Sequence, residues 1–451
     1  MRWINPIGLV LMLILMIANL LITTVDRRPY ASQSFYQEAK TAVQNLHIRP
    51  ASNEDSLKIG LAKANITPNT VLPLAGYGGR KPKTYDGIHD SIWVRTIVFD
   101  DGVDKIALVS ADLLIIHPTL ASEVYQQLGA SWRKDQIYFT ATHTHSSIGS
   151  WAPGPVGDLF AGTYNHHTAK EIAEKMTQSI KMANANLRSG AISYNELQAP
   201  EWVYNRLVKE QGSIDPLMKV LGLKSGDLSG FLTIYSAHAT CLSRHYRHLS
   251  GDFPGRFNRL IESKENIDFS IYAAGAVGSM GNSTSHFPED EQKEVEEMSL
   301  GLSRNIELLE MLDPPYVAQV DIASFQVMLP MRPPGLKVSE NLQLRSWLFR
   351  QLFGSYDLSI KGTLLGNTLF LGLPFDFSGE LSSHLYSIAE ANNLKLVITS
   401  FNGGYGGYIV KDEWYDLPKY EARTMSWYGP DAGSYLSEII TLIVEKVADS
   451  K

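Results

Sequence analysis

The 451-residue sequence predicts an α/β fold, with mixed β-sheets surrounded by α-helices in one large domain. Three observations predict it. Apolar, β-branched runs of strand length, such as SIWVRTIVF at 91–99 and KIALVS at 105–110, recur between turn signals. Stretches with helical period, such as 168–186 and 433–449, are interspersed among them. The two kinds mix without strict alternation, which favours mixed sheets with outer helices.

In chain order, a short strand at 58–62 opens the domain, and Gly76, Gly78 and Gly79 mark a loop. Strands at 91–99 and 105–110 flank the Asp101-Gly102 turn. A helix at 118–128 leads to a strand at 136–141, and an amphipathic helix follows at 168–186. Further strands are expected around Ile192, at 217–223 and at 231–237, with helices at 254–264 and 289–312. Strands at 317–329 and 362–370, a helix at 378–392, a strand at 395–400 and a helix at 433–449 complete the expectation.

Composition excludes some functions. The formal charge of −7 argues against a nucleic-acid partner, which requires a basic face. Cys241 is the only cysteine, so an internal disulfide and a cysteine-based zinc site are both excluded. A metal here has to be held by His, carboxylate or Tyr.

Residues 7–25 (IGLVLMLILMIANLLITTV) carry no charge. Such a stretch is long enough to span a bilayer as a helix, which needs about 20 residues. The rival reading is a cleaved signal peptide, but TTVDRR at 23–28 offers no small-x-small cleavage site. The expectation is therefore an N-terminal membrane anchor or signal segment at 1–28, a tether at 29–57 and a catalytic domain at 58–451. The domain is expected outside the cytoplasm, periplasmic or extracellular, and secreted if the segment is cleaved.

Two expected strands end in histidine. FTATHTHSSIGSW at 139–151 places His143 and His145 two residues apart, and alternation along a strand puts them on one face. YSAHATC at 235–241 places His238 after the second strand. Two such strands, distant in sequence, suit a metal site at a sheet edge. One histidine of the pair can bind metal while the other serves as acid or base. Each can also be a capping or hydrogen-bonding group at a strand end.

The combination of THTHS after a strand, a distant AHATC and an SGD loop resembles the neutral/alkaline ceramidase family of zinc amidases. The resemblance extends through GLAKANITP at 60–68, LAGY at 74–77, GIH at 87–89, YNR at 204–206 and DPLM at 215–218. It continues with YIVKDEWY at 408–415, KYE at 419–421 and YGP at 428–430. It implies a zinc-dependent amidohydrolase that cleaves the N-acyl bond of ceramide or a ceramide-like lipid. The substrate would be reached at a membrane to which the N-terminal helix holds the enzyme. Alternatives are a zinc hydrolase of the same fold acting on another amide or ester, and a non-catalytic relative that binds a ligand or partner.

Carried over position by position, the resemblance implies that Zn2+ is held by His143, His238, Asp376 and Tyr408. Asp376, in LPFDFS at 373–378, stands where the family has Glu, which shortens its reach by one methylene. Its bland reading is a helix cap. His145 would move protons, while Arg206 and Tyr420 would bind the carbonyl oxygen or the oxyanion. The family's GD-[VL]-SP nucleophile segment is replaced by AAGAVGSMGN at 273–282, which leaves Ser279 as a nearby hydroxyl and favours a zinc-activated water as nucleophile. Larger members continue into an immunoglobulin-like C-terminal domain. None is expected here, because the chain ends about thirty residues after Tyr420. GGYGG at 403–407 precedes no convincing helix and reads as a loop around the metal tyrosine.

Overall fold

Edge strands of one sheet come together because the sheet curls. This computed structural model describes residues 6–48, 56–81, 83–287 and 289–450. Its largest sheet has eight strands, in the order Phe269–Ala274, Leu228–Tyr235, Leu217–Ser225, Arg188–Gln198, Lys58–Asn65, Trp93–Asp100, Lys105–Ala111 and Ile137–Ala141. The two outermost pairs are parallel and the inner pairs antiparallel, so the sheet is mixed as expected. Its ends meet through side chains: Ser110 Oγ donates to the Tyr272 carbonyl at 2.6 Å and Arg95 donates to the Ser270 carbonyl at 2.8 Å.

A second sheet has the order Ile322–Met328, Ser359–Leu365, Thr368–Leu373 and Lys395–Ser400. Its last strand lies against both ends of the first sheet. Thr140 Oγ1 donates to the Ser400 carbonyl at 3.2 Å, and Ser400 Oγ donates to the Gly275 carbonyl at 2.7 Å. Phe99, Leu108, Tyr138, Leu221 and Ile234 from the first sheet form one buried core with Phe370, Val397 and Ile322 from the second. The C-terminal ends of Ile137–Ala141, Leu228–Tyr235 and Lys395–Ser400 thereby open into one place.

Helices cover the outer faces. Pro118–Leu128 and His166–Ala185 pack on one side of the large sheet, Asp252–Glu262 and Gln292–Leu312 on another. Ser382–Ala391 and Ala432–Asp449 cover the four-stranded sheet together with Ser34–Gln44. That last helix lies in the stretch expected to be a tether. Phe35, Tyr36, Ala39 and Val43 are spaced to form one face and are buried against the C-terminal helix, so these residues are part of the packed body. Residues 49–55 of the expected tether, and 1–5 of the expected anchor, lie outside the described residues.

The expected bilayer-spanning helix is not supported. Among the described residues, no helix is long and apolar enough to cross a membrane. Within the described residues, the apolar run forms the helix Pro6–Leu21. The helix stops where the β-branched Ile22, Thr23 and Thr24 pair antiparallel with Leu344, Gln343 and Leu342.

Candidate active site

His143 and His145 do meet, though not by strand alternation. The strand ends at Ala141, and His143 has φ +62, a left-handed conformation that is rare for a side chain of this size. The turn, rather than the pleat, aims the two rings. Its opposite wall is Gly76, with φ +120, where a Cβ would lie 2.7 Å from the His145 Cα. Tyr77 then places its ring 4.8 Å from that of His145. His238 follows the strand Leu228–Tyr235, near the far end of the curled sheet, and is fully buried.

Three Nε2 atoms converge: His143 to His238 at 2.9 Å, His145 to His238 at 3.2 Å and His145 to His143 at 3.3 Å. The backbone fixes two of the tautomers. His143 Nδ1 lies 2.6 Å from the Leu114 carbonyl, and His238 Nδ1 lies 3.3 Å from the Val277 carbonyl. A carbonyl only accepts, so each Nδ1 carries the proton and each Nε2 presents a lone pair. Two lone pairs facing each other at 2.9 Å call for a cation between them. His145 is different, since its buried Nδ1 has no hydrogen-bond partner. Burial, opposed by the Leu114 contact, pushes His143 down to about 3, and burial holds His145 and His238 well below the usual range, so the cluster is neutral.

Asp376 completes the group from the short strand Asp376–Phe377, which pairs in parallel with Tyr408–Ile409. It is fully buried. Its Oδ2 accepts from the Tyr405 hydroxyl at 2.7 Å, while Oδ1 has no hydrogen-bond partner and lies 3.4 Å from His143 Nε2. Burial, opposed by the Tyr405 hydrogen bond and the Arg206 charge, raises Asp376 to about 7. These atoms fit zinc. With Zn–N bonds of about 2.0–2.1 Å, the edge of a tetrahedron is roughly 3.3 Å, close to the spacings found here.

The second-rank residues also gather. The strand Val203–Asn205 pairs with Met280–Asn282, and the Arg206 amide donates to the Ser279 carbonyl at 2.9 Å. The Arg206 guanidinium donates from Nε to Glu421 Oε1 at 2.5 Å and from Nη2 to the Tyr408 hydroxyl at 2.9 Å. Burial opposes the Arg206 charge, but Glu421 and Tyr408 outweigh it and secure the cation. Tyr420 begins a π-helix, Tyr420–Met425, of the kind that often marks functional sites, and its side chain is half-exposed. Ser279 has φ +62 and a fully buried Oγ without a partner, and it is not among the residues on the cavity wall.

That cavity measures about 930 Å³. His143, His145, His238, Arg206, Tyr408, Tyr420 and Glu421 line it, and its walls are apolar, with Trp151, Phe160, Met331, Phe349, Phe353 and Trp427. Phe349 and Phe353 stack at 4.2 Å on the helix Ser346–Phe353, and both rest on Trp427. Sequence reasoning missed this helix, Tyr405 and the role of Glu421. Glu421 stands in the KYE segment that carries the resemblance, and RSWLFRQLF at 345–353 has an aromatic pair at helical spacing.

The family described as neutral/alkaline non-lysosomal ceramidase, N-terminal, matches residues 57–286. The neutral ceramidase of Pseudomonas aeruginosa is 26% identical over 253 residues, 52% of this chain and 38% of that protein. That of Drosophila melanogaster is 25% identical over 230 residues, 46% of this chain and 32% of that protein. The matched stretch thus spans well under half the length of these relatives. The crystal structure of the Pseudomonas aeruginosa neutral ceramidase superposes with a TM-score of 0.79 at 18% identity, over 88% of this chain and 75% of that one. A ceramidase complexed with C2 gives 0.77 at 19% identity, over 87% and 75%. At these identities the likeness concerns the fold.

Proposed function

The chain belongs to the neutral/alkaline non-lysosomal ceramidase family, and from that premise we propose that it is a zinc-dependent amidohydrolase. Its substrate in this reading is ceramide or a ceramide-like lipid, cleaved at the N-acyl bond to a sphingoid base and a fatty acid. The single observation that carries the reading is the position of the donor atoms. Three imidazole nitrogens and an unpartnered carboxylate oxygen converge beside a large apolar cavity that also holds an arginine.

His143 and His238, with tautomers fixed by backbone carbonyls, would hold the zinc together with Asp376 Oδ1 and the Tyr408 hydroxyl. Bound there, the ion would acidify water and polarise the amide carbonyl. His145 serves as the proton carrier. Its Nδ1 is tied to nothing, so either ring nitrogen is able to bear the proton, and its Nε2 still faces the other two rings. Arg206, kept charged by Glu421, receives the negative charge that develops on the amide oxygen. The half-exposed Tyr420 supplies a second donor from the cavity wall. The aromatic wall accepts the hydrocarbon chains, whose burial contributes about 0.8 kcal/mol per CH₂.

One observation favours a second reading, hydrolysis of a different amide or ester. The 273–282 segment lacks the family's serine, and Ser279 is absent from the cavity wall. A direct comparison separates the two. The full chain is expected to release fatty acid from a short-chain ceramide faster than it hydrolyses the corresponding simple acyl ester. The reverse preference would select the second reading.

A further inference from the structure

The GGYGG segment at 403–407 does more than carry the chain to Tyr408. The Gly406 amide donates to the Pro374 carbonyl at 2.6 Å, and the Asp376 amide donates to the Gly407 carbonyl at 2.9 Å. The loop therefore lies flat on 374–376. It can do so because position 406 has no side chain: a Cβ there would meet Phe375 Cε1 at 2.3 Å. The result is two tyrosines at one carboxylate, with Tyr408 in register with Asp376 and Tyr405 bonded to it.

The Tyr405 contact is specific. Its hydroxyl donates to the Asp376 carboxylate at 2.7 Å from Oδ2, and the Tyr408 hydroxyl also favours the charged form of the same carboxylate. The ring is held between Phe401 and Trp427, with centroids at 6.3 and 5.8 Å. A carboxylate gripped by one oxygen has its other oxygen aimed. Here Oδ1 points toward His143 Nε2. Partners in the second layer around a metal ligand commonly act this way, and losing one costs about 10–100-fold in metal affinity or activity.

We propose that Tyr405 is a positioning residue for the metal carboxylate: by holding Oδ2 it turns Oδ1 of the short Asp376 side chain toward the imidazole nitrogens. The inference rests on the zinc reading above and deepens it, naming what makes an aspartate sufficient in place of a longer acid. Tyr405→Phe removes the hydroxyl and keeps the ring between its neighbours.

The test is a double-mutant cycle on the purified full chain. The zinc dissociation constant is measured by competition with a chelator of known affinity. The variants are wild type, Tyr405→Phe, Asp376→Ala and the double variant. The expected result is at least tenfold weaker binding for Tyr405→Phe alone and less than a twofold further change when Asp376 is already Ala. Binding within twofold of wild type for Tyr405→Phe would overturn the proposal and leave the zinc reading intact. An equal loss in both backgrounds would overturn it too, since the hydroxyl would then act without the carboxylate. A wild-type chain that binds no zinc would overturn both.

Discussion

Each of the three histidines is a small decision about protons. His143 and His238 are tied through Nδ1 to the carbonyls of Leu114 and Val277, whereas His145 Nδ1 has no partner. In the proposed reading that difference makes His143 and His238 ligands and His145 the acid–base group, although all three Nε2 atoms lie together and could hold a metal. His143→Ala and His238→Ala should each abolish stoichiometric zinc. His145→Ala should retain most of the metal and lose about 10²–10⁴ in kcat, the range for a removed general acid–base. Metal analysis beside steady-state kinetics reads both, and zinc loss in His145→Ala matching that of His143→Ala would make His145 a third ligand instead. The sequence brought out His143, His145 and His238 because their motifs are local and unusual, and Asp376 and Arg206 only through the family resemblance. Tyr405 and Glu421 stayed hidden because each acts through a partner far along the chain, Asp376 at 29 residues and Arg206 at 215.

At the scale of elements, the helix Ser34–Gln44 shows how a polar-looking stretch becomes core. Phe35 meets the Tyr435 ring edge-on at 5.1 Å, and Arg332 lies over its face. Phe35→Ala should destabilise the chain by about 3 kcal/mol, as buried Phe truncations do, measured by urea unfolding. A change below about 0.5 kcal/mol would restore the tether. The helix Pro118–Leu128 supplies a pH prediction. Its N-cap is His117, whose Nδ1 accepts from the Thr119 amide at 3.2 Å, and burial lowers its pKa to about 4. Above pH 6.5 the ring is neutral folded or unfolded and contributes no pH dependence. As pH falls from 6.5 to 4, the unfolded chain takes up a proton that the native state refuses, so stability drops, by up to about 3 kcal/mol, and levels off below pH 4. His117→Asn keeps a capping oxygen without titrating. In chelator, its urea midpoint should fall less between pH 7 and pH 4.5 than that of wild type, and equal falls would contradict this assignment. Most strands and helices were legible from period and turn residues. The strand Phe269–Ala274 was not, because it is buried on both faces and shows no alternation. The helix Ser346–Phe353 lies in a stretch where prolines at 330, 333 and 334 mask the pattern.

Over the whole molecule, the site exists because the eight-stranded sheet curls until its two ends touch and the second sheet closes over the seam. No single-strand pattern reveals that closure, since His143 and His238 follow strands from opposite regions of the sheet order. The mixed α/β class was readable and its curvature was not. The N-terminal apolar run shows the same limit: composition suggested a span, and pairing with Leu342–Leu344 ends the helix at Leu21. The central claim is that the converging imidazoles and Asp376 hold a zinc ion on which amide hydrolysis depends. The most direct measurement determines metal content and fatty-acid release from a short-chain ceramide on one sample of the full chain, before and after chelation and zinc return. The prediction is near-stoichiometric zinc, turnover lost with the metal and regained with it, and neither in His238→Ala. Turnover that persists at full rate without metal would contradict it.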